Sequence, residues 1–251
     1  MIKSTLERHG YTLIKKEQTT LHKSMSDVLQ HVSRLGFHPL TVIDVGVATG
    51  TPALYNTFPQ AFHLMIEPVD EFAKDILLLL KSYKGKAIFA AASSSDGEIE
   101  IHVHPEHLEG SSIRNEQMGA EFDGITRKVK AVTIDKIIAE EGLESPYLIK
   151  VDVQGAELDV LAGARRVLLD TELVLLEVSL FQFLKGAPQF FDVISYMKEI
   201  GFAVYDIYGG ANRPLDGALG QCDVAFVKDN GMFRKNHCYA TADQWNQIVP
   251  T

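Results

Sequence analysis

The sequence predicts an α/β domain: a mostly parallel seven-stranded sheet with helices on both faces and a small antiparallel insertion. Short apolar runs recur along the chain, separated by stretches of helical periodicity. Those stretches are long enough to serve as crossovers between parallel neighbours, which a tight turn cannot join. The clearest run, Val42 to Gly50 (V-I-D-V-G-V-A-T-G), ends in an acid and a glycine turn that feeds a helix.

Residues 1–40 read as a polar, partly helical lead-in, with Ser26 as N-cap of a helix over 27–35 and Gly36 closing it. The strands are expected at 41–45, 62–66, 87–91, 147–151, 173–178, 202–207 and 223–227. Helices are expected at 52–58, 69–83, 134–140, 156–169 and 188–200. Residues 98–104 and 127–132 alternate more regularly and follow Asp96-Gly97, so they read as an antiparallel insertion with a loop over 106–124. The domain proper then spans 41–230, with the insertion at about 98–132 and a C-terminal tail, 231–251, that has no clear period.

A chain of 251 residues with 46% apolar content is long enough to bury a full core. Its net charge of −9, with no block of Lys or Arg, disfavours a nucleic-acid partner, which needs a basic face. Cys222 and Cys238 show neither CxxC nor metal spacing and read as reduced thiols. The N-terminus lacks an apolar signal core and no run approaches membrane-spanning length, so a soluble, cytoplasmic protein without a membrane partner is expected.

In open α/β sheets ligands gather at the carboxyl ends of the strands. Read in order, those ends offer Asp44 and Gly46, then Glu67, then Ala92 and Ser93 before Asp96, then Asp152 and Gly155, then Glu177. An acid ahead of a glycine turn suits a ligand with positive charge or hydroxyl and amine donors, whereas phosphate favours a lysine and free N–H groups. That points to S-adenosylmethionine over a nucleotide phosphate, with Asp44, Gly46, Thr49 and Gly50 as candidate contacts. Glu67 closes the second strand where a ribose-binding acid is expected; a surface acid capping the next helix is the alternative.

The segment Leu148 to Ala164, L-I-K-V-D-V-Q-G-A-E-L-D-V-L-A-G-A, resembles the FkbM-type methyltransferase family. Lys150, Asp152, Gln154, Gly155, Glu157, Val160, Leu161, Gly163 and Ala164 match its K-x-D-x-[EQ]-G-x-E-x-x-V-L-x-G-A run. The resemblance extends over roughly 40–230, through Glu67-Pro68, Ser111-Ser112 and Val132 to Asp135. It implies a Rossmann-like class I methyltransferase fold, S-adenosylmethionine as cofactor, and methyl transfer to a hydroxyl of a sugar or polyketide-like small molecule. Two departures stand out: Phe89-Ala90-Ala91 where relatives often carry asparagine, and Ala48-Thr49 where many have a further glycine or asparagine.

Deprotonating a hydroxyl acceptor calls for a base or a bound cation. Asp152, Glu157 and Glu177 are the candidates, Asp152 first because it ends a strand beside the expected methyl position. Asp152 has two other readings: it holds the methionine amino group, or it binds a divalent ion with Glu177, although no metal is expected. Lys150 reads as a structural cation neutralising Asp152 or Glu177. Ser111, Ser112 and Gln154 are candidate substrate contacts, with an ordinary turn as the alternative for the serines. His102, His104 and His107 read as a solvated strand face rather than a metal set. Phe181 and Phe183 either stack on a sugar or fill core. A nicotinamide oxidoreductase is disfavoured because Val47-Ala48-Thr49 separate the only two glycines of the turn. D-V-Q-G stands where a nucleobase methyltransferase would carry N-P-P-Y, and a non-catalytic relative would be expected to have lost the strand-end acids. The acceptor's identity and any homo-oligomer stay open.

Overall fold

The computed structural model describes residues 22–249; the expected lead-in before His22 lies outside the described residues. In chain order the strands are β1 (Thr41–Val45), β2 (Phe62–Ile66), β3 (Gly85–Ile88), β4 (Ala91–Ala92), β5 (Gly97–Val103), β6 (Ile125–Val132), β7 (Tyr147–Val151), β8 (Thr171–Ser179), β9 (Phe202–Asn212) and β10 (Leu219–Lys228). The α-helices are α1 (Met25–Arg34), α2 (Pro52–Thr57), α3 (Ala73–Leu79), α4 (Ile134–Glu141), α5 (Glu157–Ala162), α6 (Phe190–Glu199) and α7 (Ala242–Ile248).

The main sheet has seven strands in the order β3-β2-β1-β7-β8-β10-β9. β3, β2, β1, β7 and β8 are mutually parallel, and β10 runs antiparallel to both β8 and β9. Every residue of β1 and β7 is buried, which is why these strands read as largely apolar runs rather than alternating ones, with Asp44 and Lys150 as the charged exceptions. Ile43, Ile149, Val174 and Val224 face one core layer; Val42, Leu148, Leu173 and Ala225 face the other. The chain winds outward from β1 to β3 and resumes at β7 on the other side of β1, leaving a crevice above their carboxyl ends.

Several elements depart from the sequence reading. The cap of α1 is Ser24 rather than Ser26, because Asp27 returns the bond to the Ser24 N–H and completes a capping box. The strand expected at 87–91 is two: β3 ends at Ile88, and Ala91–Ala92 leaves the main sheet to pair in parallel with β6. The insertion is therefore a three-stranded sheet, β4-β6-β5, whose β5–β6 hairpin is antiparallel as expected. The helix expected at 69–83 is a 3-10 turn (Asp70–Phe72) followed by α3.

The helix expected at 156–169 stops at Ala162. A Cβ on Gly163 would lie 2.0 Å from the Ser93 carbonyl oxygen, so only glycine allows this approach. Beyond it, the Asp135 carboxylate accepts from the N–H groups of Arg166 and Val167 and turns the chain into a 3-10 helix (Val167–Asp170). Val160, Leu161 and Ala164 form the buried stripe, while Leu158 and Ala162 are half-buried. In the tail, Phe233 packs against Phe37 and Tyr205, and α7 begins at a Thr241–Gln244 capping box.

Candidate active site

Two turns meet at the crevice. After β1, Gly46 adopts φ +73° and a Cβ there would lie 1.8 Å from the Asp152 carbonyl oxygen, so glycine alone lets the two turns touch. Ala48 (φ 47°) and Gln154 (φ 51°) hold left-handed conformations without being glycines, one in each turn. Such strain persists where surrounding bonds over-determine it, and it concentrates at functional sites. Here Glu67 supplies bonds on one side: Oε2 accepts from the Ala48 N–H and Oε1 from the Val69 N–H, both at 2.9 Å. Glu67 is 4% exposed, and burial raises its proton affinity against the pull of those donors. Each oxygen keeps a second lone pair beyond those bonds.

Above the turns lies a cavity of about 530 Å³. Of the residues expected to bind cofactor, Gly46, Thr49, Gly50, Glu67, Ala92 and Asp152 line it, but Asp44 and Ser93 do not. Asp44 is wholly buried under the turn. Its Oδ2 accepts from the Tyr55 hydroxyl, and its Oδ1 lies 3.4 Å from Lys150 Nζ. The acid that suggested a cationic ligand is thus paired inside the protein, with Tyr55 and Lys150. Ser93 instead places its carbonyl against Gly163.

Lys150 is the structural cation the sequence suggested, although its main partner is Asp44. It is 6% exposed, donates to the Gly46 carbonyl at 2.7 Å, and stands 3.6 Å from Asp152 Oδ2. Burial alone would lower its pKa, yet Asp44, Asp152 and Glu67 together raise it, so the ammonium stays charged.

The three candidate bases separate cleanly. Glu157 is 6% exposed, absent from the cavity wall, and its Oε1 accepts from the Gly155 N–H at 2.9 Å. It braces the second turn and is too enclosed to meet an acceptor. Asp152 and Glu177 both line the cavity. Gln154 Nε2 reaches Asp152 Oδ1 at 3.3 Å and Glu177 Oε2 at 3.2 Å. Both of its N–H groups are thereby spent on carboxylates, so Gln154 organises the acids rather than donating to a substrate. Gln221 Nε2 donates to the same Glu177 Oε2 at 2.8 Å. Among the described residues no hydrogen bond reaches Glu177 Oε1. Burial, then the charges of Asp152 and Asp223, push the Glu177 carboxyl up to about 7.

Sequence reasoning missed Gln221 and Asp223. Asp223 sits directly across from Glu177 in the β8–β10 register, a long-range pairing that no local pattern announces. Gln221 lies two residues before it, in the same alternation. The period-two pattern of β10 was the available signal, but its partner strand was not legible.

The insertion roofs the crevice. Ser111 and Ser112 line the cavity, yet the Ser112 hydroxyl, 4% exposed, donates to the Gln154 carbonyl and accepts from the Arg114 N–H. Ser112 is therefore a fastening between insertion and turn. Arg114 adds a second, donating to the Gly155 carbonyl at 3.3 Å and to Asp159 Oδ2 at 2.7 Å. A smaller adjoining cavity, about 230 Å³, is lined by His104, His107, Glu116, Phe183 and, shared with the first, Gln154 and Gln221. Of the histidines expected on a solvated face, His107 is exposed and His104 half-buried, and both also line these cavities. Phe183 joins this wall, while Phe181 lies under the Arg213 guanidinium, 3.7 Å from the ring centroid. Among the described residues no group of three His, Cys, Asp or Glu side chains is placed to hold a metal ion.

The donor set fits S-adenosylmethionine. The cavity has room for a nucleoside carrying an amino-acid chain, Glu67 offers lone pairs to hydroxyls, and Asp152 and Glu177 favour a cation. A mostly parallel seven-stranded sheet with an antiparallel β10, and this crevice at its switch point, are the arrangement of a Rossmann-like class I methyltransferase fold. The sequence model described as Methyltransferase FkbM domain matches residues 44–204, and the chain belongs to that family. It is 26% identical over 185 residues to Methyltransferase sdnD of Sordaria araneosa, covering 61% of this chain and 71% of the relative. It is 31% identical over 166 residues to 2-O-methyltransferase NoeI of Sinorhizobium fredii (strain NBRC 101917 / NGR234), covering 60% and 68%. Among solved structures, magnesium protoporphyrin IX methyltransferase from Synechocystis PCC 6803 aligns with a TM-score of 0.45 at 10% identity, covering 81% of this chain and 77% of that one. No described helix is long and apolar enough to cross a membrane.

Proposed function

We propose that this protein methylates a hydroxyl of a small molecule, a sugar or glycan precursor or a polyketide-like compound, with Glu177 as the general base. The observation that carries this reading is the Glu177 carboxyl. It lines the cavity, has its Oε2 held by two amides, and has a proton affinity near neutrality, where a base for a weakly acidic hydroxyl works best. The relative NoeI, by its name a 2-O-methyltransferase, supports oxygen as the target.

When bound, S-adenosylmethionine supplies an electrophilic methyl group and leaves as S-adenosylhomocysteine. The turn from Gly46 to Gly50 and Glu67 would hold its nucleoside, and Asp152 its cationic end. The acceptor would lie where the adjoining cavity meets the first, at Gln154 and Gln221, so that Glu177 Oε1 on the wall of the first cavity receives the hydroxyl proton. This replaces Asp152 as first choice for the base, since Asp152 faces Lys150 at 3.6 Å and is better suited to holding a positive charge. The partner is then a small hydroxylated substrate, with no nucleic acid.

The test is calorimetric titration with S-adenosylhomocysteine, followed by radiolabelled methyl transfer to a panel of sugars and natural-product alcohols beside amine and carbon acceptors. Transfer to alcohols that collapses in Glu177→Gln while S-adenosylhomocysteine still binds supports the reading. Turnover confined to amines or carbon acceptors overturns it.

A further inference from the structure

We infer that Glu177 and Asp223 share one proton at neutral pH, as a carboxyl pair set side by side across β8 and β10, with Asp223 a positioning residue for the proton on Glu177. This rests on the reading of Glu177 as the base. The β8–β10–β9 register pairs Glu177 with Asp223 and Asp223 with Tyr208, so three polar side chains form one row on the sheet face that also carries Lys150. Directly opposed side chains on one face lie about 5 Å apart at Cβ.

Little neutralises this row. Among the described residues the Asp223 carboxylate receives no hydrogen bond, and the Tyr208 hydroxyl, in a residue 3% exposed, has no partner. From β7, Lys150 contacts Asp44, Gly46 and Asp152 and its charge opposes the rise at Asp223, while Asp152 adds negative charge that outweighs it. Glu157 of α5, Asp206 of β9 and Cys222 beside Asp223 supply no cation, and α1 presents Met25 to the cavity. The insertion brings His107 and Glu109 to the same cavity wall. Two half-buried carboxyls so placed cannot both stay ionised without cost, and one proton between them removes it. Burial and neighbouring acids accordingly raise both groups, Glu177 to about 7 and Asp223 to about 6.

The pair reacts once its shared proton has left to water: the acceptor's O–H bond then breaks as its oxygen takes the methyl group, and the proton passes to Glu177 Oε1, which restores the one-proton pair. Asp223, negative beside it, makes that proton welcome, and release to water restores the base. Without Asp223, Glu177 would be a weaker base, its affinity still held up by burial and Asp152.

Infrared difference titration of the full chain, without cofactor or acceptor, reads the pair through the C=O stretch of a protonated carboxyl. The wild type should show a band that disappears near pH 7, lost in Glu177→Gln and moved down by about one pH unit or more in Asp223→Asn. Asp223→Ser, checked like the others for fold by circular dichroism and S-adenosylhomocysteine binding, should move it the same way. An unchanged midpoint in both Asp223 variants, or no band at neutral pH in the wild type, overturns the proposal. Methyl transfer to alcohols is assayed separately, so a failed acceptor reading with the infrared pattern intact leaves the pair standing.

Discussion

Lys150 Nζ lies 3.4 Å from Asp44 Oδ1 and 2.7 Å from the Gly46 carbonyl, so one ammonium neutralises the acid of β1 and ties down the turn after it. Asp44 and Lys150 are direct partners in the β1–β7 register. The two residues are one buried device, and the cofactor turn depends on both.

Removing the cation should therefore cost more than losing a contact. Lys150→Met leaves Asp44 charged and wholly enclosed, and breaking a buried pair this way costs about 3–5 kcal/mol. Urea unfolding should show that loss, with much of it recovered in the double variant Asp44→Asn/Lys150→Met. A double variant no more stable than Lys150→Met would contradict the pairing.

Gly46→Ala should abolish or weaken cofactor binding. Its Cβ would meet the Asp152 carbonyl at 1.8 Å, forcing the two turns apart. Calorimetry with S-adenosylhomocysteine should read at least a tenfold weaker affinity, about 1.4 kcal/mol. Wild-type affinity would mean the turns are not what positions the cofactor.

Glu177→Gln should lower turnover by roughly 10²–10⁴-fold, the usual reach of a general base. Binding of S-adenosylhomocysteine should survive, because the amide keeps the shape. Loss of both together would assign Glu177 to cofactor holding instead.

The same carboxyl gives stability and rate opposite pH slopes. Its affinity is raised from 4.5 to about 7, so between those values the native state binds more protons than the unfolded chain. Its stabilising contribution is full below about pH 4.5 and is lost as pH rises through about 7. The base works only when deprotonated, so kcat/KM should rise over that window. Denaturant melts and rate profiles from Glu177→Gln should both lose that dependence; persistence of either slope assigns it to another group.

Arg114→Ala should loosen the roof of the acceptor side without disturbing the cofactor turn. Its guanidinium joins the insertion to Gly155 and Asp159. The expected signature is a higher KM for acceptor with unchanged S-adenosylhomocysteine affinity. Equal weakening of both ligands would show the insertion and the cofactor turn to be one unit.

Much of this architecture was legible locally. β1, β2 and β7 fall where their apolar runs do, because strands buried on both faces are mostly apolar, with the buried Asp44, His63 and Lys150 as exceptions. The two turns were visible in their glycines, and the K-x-D-x-Q-G run marked the family. Element ends were less legible: the helix after the second turn stops at Gly163 because of a carbonyl contributed by Ser93, far away in sequence.

The sequence by itself determined most of the strands, the crevice turns, the methyltransferase class and the stock of acids at the strand ends. Only the tertiary structure decided which acids face the ligand. Asp44 and Asp152 occupy similar places at the ends of neighbouring strands, yet one is enclosed by Tyr55 and Lys150 and the other opens to the cavity. Likewise Glu177 gains its character from Gln154, Gln221 and Asp223, which reach it through a turn and an antiparallel partner strand. Alternation along a strand assigns a side chain to a face. What shares that face, and so the charge and solvent it meets, depends on pairings between residues distant in the chain.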